Sequence, residues 1–328
     1  MKVLITGGCG FIGVNLVEKL LQSSEDYALR VIDNLSVGKK EDLARVSSFI
    51  ERGRGEAGDG HWDRLELVVG DVTEKSLALN VCKGADAVVH LAASTGVIPS
   101  VEDPEQDFAS NVVGTFNYLE AARLNGIGRF VFASSGAPLG EQVPPVHEEM
   151  VPHPISPYGA GKLCGEAYCS AYHGSFGLET VVLRFGNVYG PHSKHKGSVV
   201  AKFIRHIMAS EPLPIYGDGN QTRDFIYVED LTEAILLALN RADVGGEIFQ
   251  IATHREHTVA EAAEELNRLG EKYLSMRSGI VFENERRGEI RRNYSDISKA
   301  RRMLGFEPRH DLKQGLEKTF RWFLEERR

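Results

Sequence analysis

Two side chains that can bind and release protons, Tyr158 and Lys162, lie four residues apart in the segment Tyr-Gly-Ala-Gly-Lys. Residues at this spacing share one face of a helix, so the phenol and the ammonium are neighbours if the segment is helical. The same pair is common on exposed helix faces, where it does no chemistry. It therefore indicates proton transfer only if the fold places it beside a bound substrate.

A glycine-rich segment near the N-terminus predicts a binding site for a dinucleotide. Residues 6–13 read TGGCGFIG, between an apolar strand pattern and a helical pattern, and glycines in this context let the backbone approach a pyrophosphate at a helix N-terminus. Asp33 ends the next predicted strand, 20 positions after Gly13, where a carboxylate accepts hydrogen bonds from ribose hydroxyls. That carboxylate would repel a 2′-phosphate, so the sequence predicts NAD rather than NADP.

Beside a dinucleotide, the Tyr158 phenol becomes a candidate general base. A free phenol has a pKa of about 10, and positive charges from Lys162 and from an oxidised nicotinamide would lower it by about 1 to 3 units. Such a phenol could accept a proton from a substrate hydroxyl near neutral pH.

Short apolar runs rich in β-branched residues alternate with helical patterns, which is typical of a parallel sheet covered on both faces. The sequence therefore predicts an α/β fold with a doubly wound parallel sheet of the Rossmann type. The candidate strands are Val3–Thr6, Leu29–Asp33, Leu65–Val69, Ala87–Leu91, Arg129–Ala133 and Thr180–Arg184. The candidate helices are Gly13–Gln22, Ser110–Asn125 and Tyr158–His173, the last with Pro157 in its first turn.

After about residue 190 the pattern becomes less regular, with Gly/Pro punctuation between Pro191 and Gly219. We expect a dinucleotide-binding domain of residues 1–190 plus about 225–252, to which Glu247–Ala252 returns as a buried strand. We expect a smaller C-terminal lobe of about 191–224 plus 253–328 that binds the substrate. Residues 51–63 are glycine-rich and charged, which favours an exposed excursion before the third strand.

Composition excludes several classes of protein. The chain has 328 residues and a formal net charge of −8, which argues against a general nucleic-acid-binding surface. No apolar run reaches the roughly 18 residues of a membrane span, and none resembles a signal peptide, so we expect a soluble cytoplasmic protein. The four cysteines lack metal-binding spacing and are expected to be reduced, and His192 and His195 have no third ligand, so no metal is predicted.

The ordered motifs resemble those of extended short-chain dehydrogenases/reductases of the nucleotide-sugar epimerase and dehydratase family, typified by UDP-galactose 4-epimerase. The resemblance runs essentially from end to end. It rests on TGGCGFIG (6–13), DNLS (33–36), GDV (70–72), HLAA (90–93), NVVGT (111–115), SS (134–135), YGAGK (158–162), RFGNVYGP (184–191), IYGDG (215–219), RDF (223–225), RRGE (286–289) and DISKA (296–300).

The resemblance implies roles for individual residues. It implies that Ser135 hydrogen-bonds the reacting sugar hydroxyl, that Tyr158 is the base, and that Lys162 also holds the nicotinamide ribose. The residues that would surround NAD are Gly7, Gly10, Phe11, Ile12, Gly13, Asp33, Asn34, Ser36, Gly38, Asp71, Val72, Leu91, Ala92, Ala93, Thr95, Asn111, Tyr158, Lys162 and Phe185. Those that would bind the sugar nucleotide are Ser135, Tyr158, Asn187, Val199, Tyr216, Arg223, Arg286 and Glu289. Two arginines suit a diphosphate, because guanidinium groups bind phosphate oxygens bidentately.

Departures from the family pattern narrow the chemistry. Gly136 and Ala137 stand where dehydrating members carry an Asp-Glu pair, and decarboxylating members tend to carry a Glu at the second place. Neither residue can move a proton, so oxidation and re-reduction of one carbinol remain as the simplest chemistry. Pro138-Leu139-Gly140 replaces a frequent Val-Tyr-Gly, so the shape of the sugar pocket differs from the common pattern.

Two further departures bear on the sugar. Asn293 stands where a bulky residue tends to exclude N-acetylated sugars, so hexoses and N-acetylhexosamines both stay open. His192 stands where an arginine is frequent, which weakens the hypothesis that the substrate is a uronic acid.

The leading hypothesis is NAD-dependent 4-epimerisation of a UDP-sugar of the UDP-glucose/UDP-galactose type, through a transient 4-keto sugar. The alternatives are a UDP-N-acetylhexosamine or UDP-glucuronate 4-epimerase, a nucleotide-sugar dehydratase or reductase, and a silent NAD-binding scaffold. The helices predicted at Ser110–Asn125 and Tyr158–His173 resemble those of a four-helix dimer interface in the family, which implies a homodimer.

Overall fold

The computed structural model describes residues 1–58, 60–285 and 290–327. Its strands are β1 (Lys2–Thr6), β2 (Ala28–Asp33), β3 (Ile50–Glu51), β4 (Leu65–Val69), β5 (Ala87–His90), β6 (Arg129–Ser135), β7 (Glu179–Phe185), β8 (Asn187–Tyr189), β9 (Leu213–Tyr216), β10 (Thr222–Arg223), β11 (Phe225–Tyr227), β12 (Ile248–Ile251), β13 (His257–Thr258) and β14 (Ile280–Glu283). Its α-helices are α1 (Phe11–Gln22), α2 (Lys40–Ala44), α3 (Lys75–Val81), α4 (Val97–Glu102), α5 (Pro104–Phe108), α6 (Gly114–Leu124), α7 (Pro157–Phe176), α8 (Val199–Ala209), α9 (Val228–Asn240), α10 (Val259–Leu274), α11 (Ser298–Leu304) and α12 (Leu312–Glu325).

Eight strands form one parallel sheet in the order β12-β7-β6-β5-β1-β2-β4-β3. Side chains of β1 alternate between two cores, as a strand buried on both faces requires. Val3 and Ile5 pack with α1, α9 and α11, whereas Leu4 packs with α3, α6 and α7. The predicted doubly wound α/β fold is confirmed, and the predicted returning strand is β12, which pairs with β7.

A third hydrophobic core lies after residue 188 and joins α8, β9, α10 and α12. Its centre contains Phe203, Leu266 and Phe320, all fully buried. It is separate from the two cores that flank the sheet, and the predicted division into two domains stays a prediction.

Helix α7 is held at both ends by the residues that its sequence supplies. The Ser156 hydroxyl caps it by accepting from the Gly159 N–H at 3.1 Å, and Pro157 occupies the first turn, as predicted. Gly177 ends it with φ +69°, a left-handed conformation that glycine adopts without strain. The cap fixes the start of the helix and therefore the position of Tyr158, its second residue.

The helix predicted at Ser110–Asn125 differs from the structure. Residues Ala109–Val113 form a π-helical turn that continues α5 and leads into α6. At the join, a Cβ on Gly114 would lie 2.7 Å from a Val72 methyl, so the helix packs closely on the segment after β4. Apolar spacing alone does not reveal the extra residue of a π turn.

Most described residues of the segment 51–63 are exposed, as predicted, but the segment is also anchored to the sheet. Ala57 and Trp62 are buried, and the Arg30 guanidinium donates to the carbonyls of Ala57 and His61 at 2.7 Å each. Arg30 is itself buried and paired with Glu66 at 2.8 Å. A polar segment is thus tied to the sheet by one buried cation, which a composition-based prediction cannot detect.

Within the described ranges, no helix is long and apolar enough to cross a membrane, and no group of three metal-ligating side chains is found. All four cysteines are free thiols. The cytoplasmic location stays a prediction.

Candidate active site

The predicted cofactor residues lie together at the carboxyl edge of the parallel sheet. They follow the ends of β1, β2, β4 and β5, which are neighbours in the sheet, and Phe185 ends β7. In open α/β sheets this edge, where the strand order reverses, is where ligands bind. Here the reversal falls between β1 and β5, since successive units are added on opposite sides of β1.

The glycine-rich loop approaches its neighbours so closely that side chains are excluded. Gly7 has φ +70°, and a Cβ there would lie 2.8 Å from the Ala92 backbone nitrogen. A Cβ on Gly13 would collide with the Gly7 carbonyl oxygen, and one on Gly38 with the Cys9 carbonyl. The N-terminus of α1, with Gly10 as N-cap, therefore stays open to an anionic group.

Asp33 is held rigidly beside this loop. Its carboxylate accepts hydrogen bonds from the Cys9 N–H at 3.0 Å and from the Leu35 N–H at 2.8 Å. Burial raises the pKa of Asp33, although both N–H groups lower it. Each carboxylate oxygen retains a lone pair for a ribose hydroxyl.

Asn34 connects the loop after β2 with the loop after β4. Its amide donates to Asp71 at 2.7 Å, and its side-chain oxygen accepts from the Ser36 hydroxyl at 2.7 Å. Asp71 is further fixed by the Thr73 hydroxyl at 2.7 Å. Three predicted cofactor residues from two separate loops, Asn34, Ser36 and Asp71, thus form one hydrogen-bonded cluster. Val72, also predicted to contact the cofactor, is the next residue after Asp71.

Buried His90 fixes two other predicted cofactor segments. The Thr6 hydroxyl lies 2.9 Å from His90 Nδ1 and accepts from the Ala92 N–H. The Thr115 hydroxyl lies 3.2 Å from His90 Nε2 and donates to the Asn111 carbonyl. Since that donation uses the only hydroxyl proton of Thr115, Nε2 donates and Nδ1 accepts. Burial lowers the pKa of His90 to about 3, so the ring stays neutral and orders the segment from Leu91 through Ala93 to Thr95.

Ser135, Tyr158 and Lys162 converge next to this edge. Ser135 is the last residue of β6, and Tyr158 and Lys162 lie in the first turns of α7. The Ser135 hydroxyl lies close enough to the Tyr158 phenol to lower its pKa. The Lys162 ammonium donates to the Ala133 carbonyl at 2.8 Å and lies 6.0 Å from the centre of the Tyr158 ring. A hydroxyl, a phenol and an ammonium from two elements thus face one place.

The predicted lowering of the Tyr158 pKa is not produced by these residues. Burial raises the pKa of Tyr158 to about 12, while the Ser135 hydroxyl lowers it and the charge of Asp107 raises it. The Lys162 ammonium points to the Ala133 carbonyl, and burial lowers its pKa to about 8, so it still carries its charge at neutral pH. The predicted lowering also depends on the charge of a bound oxidised nicotinamide, so it stays a prediction.

A cleft of about 290 Å³ lies between β8, α8 and β9. It contains four of the residues predicted to bind the sugar nucleotide, which are Asn187, Val199, Tyr216 and Arg223. The Arg223 guanidinium is oriented by bonds to the carbonyls of Thr222 at 2.7 Å and Ile290 at 2.8 Å. Two more of the residues predicted to bind the sugar nucleotide, Arg286 and Glu289, lie outside the described residues.

Two of the departures noted in the sequence, Gly136 and Asn293, lie close together. Among the described residues outside its chain neighbours, a Cβ on Gly136 would have only the Asn293 side-chain amide within 4 Å, at 3.9 Å. The His192 ring packs against Trp322 with centroids 5.0 Å apart, and burial lowers its pKa to about 4. His192 is therefore neutral at physiological pH and offers no charge to a carboxylate.

Sequence reasoning missed three residues of this region. Lys196 and Lys202 line the cleft, and Asp107 is a buried carboxylate that accepts from the Asn111 amide at 2.8 Å. The lysines stand in a loop and on a helix without a distinguishing motif. The only sequence signal for Asp107 was an acidic residue one helical turn before Asn111.

The chain matches the family described as NAD dependent epimerase/dehydratase over residues 3–252. It is similar to the structure of UDP-glucose 4-epimerase with UDP-glucose from Thermotoga maritima, with 33% identity, a TM-score of 0.88 and full coverage of both chains. It is also similar to the UDP-N-acetylglucosamine 4-epimerase from Methanobrevibacter ruminantium in complex with UDP-N-acetylmuramic acid, with 31% identity, a TM-score of 0.87, and 99% and 98% coverage of the two chains.

A third similar structure is UDP-glucuronic acid 4-epimerase from Bacillus cereus in complex with UDP-glucuronic acid and NAD, with 29% identity, a TM-score of 0.87, and 99% and 100% coverage. The tight glycine loop, the fixed Asp33 and the open N-terminus of α1 fit such a dinucleotide. The predicted cofactor, NAD, and the predicted class of enzyme are confirmed. The chain belongs to the NAD-dependent epimerase/dehydratase family.

Proposed function

We propose that this enzyme inverts C4 of a UDP-hexose of the UDP-glucose/UDP-galactose type. The observation that carries the proposal is the convergence of Ser135, Tyr158 and Lys162 next to Gly136 and Ala137, which have no acid or base. The site can thus take one proton from a carbinol, whereas positions 136 and 137 supply no carboxyl group with which to remove water.

In the proposed reaction, Ser135 holds the C4 hydroxyl and Tyr158 accepts its proton. NAD, held by the glycine-rich loop and Asp33, would supply reversible hydride transfer at C4, so no cofactor would be consumed. Lys162 would hold the nicotinamide ribose. Because burial raises the pKa of Tyr158 to about 12, the positive charge of an oxidised nicotinamide ring would be needed to make the phenol a useful base. Inversion requires the 4-keto sugar to present its other face while the diphosphate stays bound.

Asn187, Val199, Tyr216 and Arg223 are proposed to hold the nucleoside and diphosphate, together with Arg286 and Glu289. These residues belong to the part of the chain after β7, whereas the proposed NAD contacts belong to the part before β8. All of these substrate residues except Asn187 fall in the proposed substrate lobe, of about 191–224 plus 253–328, whereas Asn187 falls at the end of the proposed cofactor domain, of residues 1–190 plus about 225–252.

The choice of sugar rests on His192. A uronic acid needs a cation near C6, and the neutral His192 ring, turned against Trp322, supplies none. The modest size of Asn293 keeps an N-acetylhexosamine as the second candidate, since the amide next to Gly136 leaves room for an acetamido group.

We also propose a homodimer. Several large apolar side chains are exposed on α4, α5, the π turn, α6 and α7, including Ile98, Val101, Phe108, Leu124 and Phe176, at 51 to 63% of full exposure. Large exposed apolar side chains on neighbouring helices favour a protein–protein interface. Light scattering should give twice the chain mass, and a monomer at micromolar concentration would contradict the proposal.

Substrate labelled with deuterium at C4 tests the proposed reaction. The epimer should retain the label in ordinary water, and the absorbance at about 340 nm should show little net reduction of the cofactor. A stoichiometric rise in that absorbance would indicate a dehydrogenase, and a 4-keto-6-deoxy product would indicate a dehydratase. The absence of any turnover with intact NAD binding would favour a scaffold.

The sugar is identified by assaying UDP-glucose, UDP-N-acetylglucosamine and UDP-glucuronate in parallel. The highest kcat/KM is expected for UDP-glucose. A preference for UDP-glucuronate would contradict the argument from His192.

A further inference from the structure

The cleft that contains Asn187 and Arg223 has an excess of positive charge. Lys196 and Lys202 line it together with Arg223, whereas no carboxylate is among the described residues that line it. The chain as a whole carries a net charge of −8, so this local excess is not a general property of its surface. These cations favour an anionic ligand.

Lys196 is placed between the two parts of the site. Its ammonium donates to the Val188 carbonyl at 3.2 Å, next to Asn187 in β8. It also lies 4.8 Å from the centre of the Phe11 ring, at the first residue of α1. The ammonium therefore stands where the floor of the cleft meets the N-terminus of the dinucleotide-binding helix.

The loop that carries Lys196 is fixed to both neighbouring helices. The Arg205 guanidinium, on α8, donates to the carbonyls of Lys194 at 2.8 Å and Lys196 at 3.0 Å. At the other end of the loop, the Asn15 amide, on α1, donates to the Pro191 carbonyl at 3.0 Å. The ammonium is thus held in place before a ligand binds, which reduces the entropy that binding costs.

The charge of Lys196 is not neutralised by the described part of the chain. Burial lowers the pKa of its ammonium to about 8, and no carboxylate opposes that effect. Lys194, two residues earlier, differs, because its ammonium pairs with Asp42 at 3.0 Å and with Glu326 at 3.1 Å. A partly buried cation without a counter-charge among the described residues is stabilised by an arriving anion.

We infer that Lys196 binds the diphosphate of the sugar nucleotide and anchors it while the 4-keto sugar rotates to present its other face. This inference rests on the proposed function. Two of the three ammonium donors stay free after the bond to Val188, which is enough for a phosphate oxygen. Lys202 lies instead beside Tyr216, 3.4 Å from its hydroxyl, and so belongs to the nucleoside end of the cleft.

The test compares Lys196→Met with Lys194→Met, which removes the same charge from the same loop but outside the cleft. Calorimetry on the NAD-loaded enzyme measures the affinities for UDP and for uridine. Lys196→Met should weaken UDP binding by roughly 10- to 100-fold and leave uridine binding unchanged, since a hydrogen bond to a charged group is lost. Lys194→Met should change neither affinity, and Lys196→Arg should recover most of the UDP affinity. KM for the UDP-sugar should rise more than kcat falls.

Three outcomes overturn the inference: UDP affinity unchanged in Lys196→Met, equal losses for UDP and uridine, or a loss confined to NAD binding. The last would assign the ammonium to the dinucleotide. An unmodified protein that binds NAD but not UDP would overturn the proposed function itself, and the inference with it. Thermal unfolding of each variant checks folding, and Lys196→Met is expected to fold because it removes a partly buried, unneutralised charge.

Discussion

The two halves of the site are built by different means. On the dinucleotide side, the backbone makes the site: a left-handed Gly7, an open N-terminus of α1, and an Asp33 carboxylate tied to two backbone N–H groups. On the sugar-nucleotide side, side chains make it, and they come from separate elements, such as Asn187 in β8 and Arg223 in β10.

This difference determines how each half can change. A backbone-built site tolerates few substitutions, because any Cβ in the tight loop displaces main-chain atoms. A side-chain-built site can exchange single residues, as Asn293 and His192 illustrate, and so change its sugar while the fold persists. The similar structures bound to UDP-glucose and UDP-glucuronic acid, at comparable TM-scores, are consistent with this view.

Tyr158 stands where the two halves meet, and its loss should have the largest effect. Tyr158→Phe keeps the ring but removes the group that accepts the proton, so turnover should fall by about 10² to 10⁴-fold with NAD binding largely retained. Tyr168→Phe makes the same chemical change on an exposed part of α7 and should have little effect on turnover. If Tyr158→Phe kept most of its activity, another residue would have to be the base.

The backbone-built half could be predicted from the sequence because its determinants are local. The spacing from the glycines to Asp33 and the position of Pro157 each encode a backbone geometry that few residue types permit. The confirmed sheet follows from the same kind of local pattern. The roles of the individual residues at this edge stay predictions until they are tested.

The remaining features could not be predicted, because they depend on contacts between distant residues. The anchoring of segment 51–63 needs Arg30, more than 20 residues earlier, and the position of Lys196 needs Arg205 and Phe11. The direction of the Lys162 ammonium, toward the Ala133 carbonyl, depends on the register of α7 against β6. The spacing from Tyr158 to Lys162 carries no information about it.

Gly13→Ala tests the backbone-built half. Its Cβ would collide with the Gly7 carbonyl, so we expect a loss of about 1 to 3 kcal/mol in stability and at least a tenfold loss of NAD affinity. Gly174→Ala is the control, because a Cβ at this position in α7 meets no atom within 4 Å. It should raise stability by about 0.5 to 1 kcal/mol. Denaturant unfolding and NAD titration measure both, and unchanged NAD affinity in Gly13→Ala would contradict the close approach of the loop.

Asp33→Asn tests the choice between NAD and NADP. The unmodified enzyme should bind NAD far more tightly than NADP. Removing the charge should lower the ratio of the NAD affinity to the NADP affinity by about tenfold, or about 1.4 kcal/mol. Asn preserves one acceptor for the N–H of Cys9 or Leu35, whereas Asp33→Ala, which should also narrow the ratio, leaves both unpaired. A preference for NADP in the unmodified protein, measured by calorimetry, would contradict this assignment.

The smallest expected effect concerns stability rather than rate, and it separates the two roles of Lys162. Lys162→Met should lose turnover, yet burial lowers the Lys162 pKa from 10.5 to about 8, so the folded protein binds this proton less tightly than the unfolded chain does. The unfolded chain therefore binds more protons between pH 8 and pH 10, and the Lys162 contribution to stability rises with pH over that window.

The measurement is the free energy of unfolding of Lys162→Met minus that of the unmodified protein. This difference should be most favourable to the variant at pH 7 and should decrease by about 1 to 3 kcal/mol toward pH 10. Asp107, Glu166 and Cys169, which face the ammonium in the unmodified protein, are present in both proteins, and the lowered pKa of Lys196 is common to both, so these contributions largely cancel in the difference. A difference that stays constant from pH 7 to pH 10 would mean that the buried ammonium is fully compensated by its bond to the Ala133 carbonyl and by Asp107.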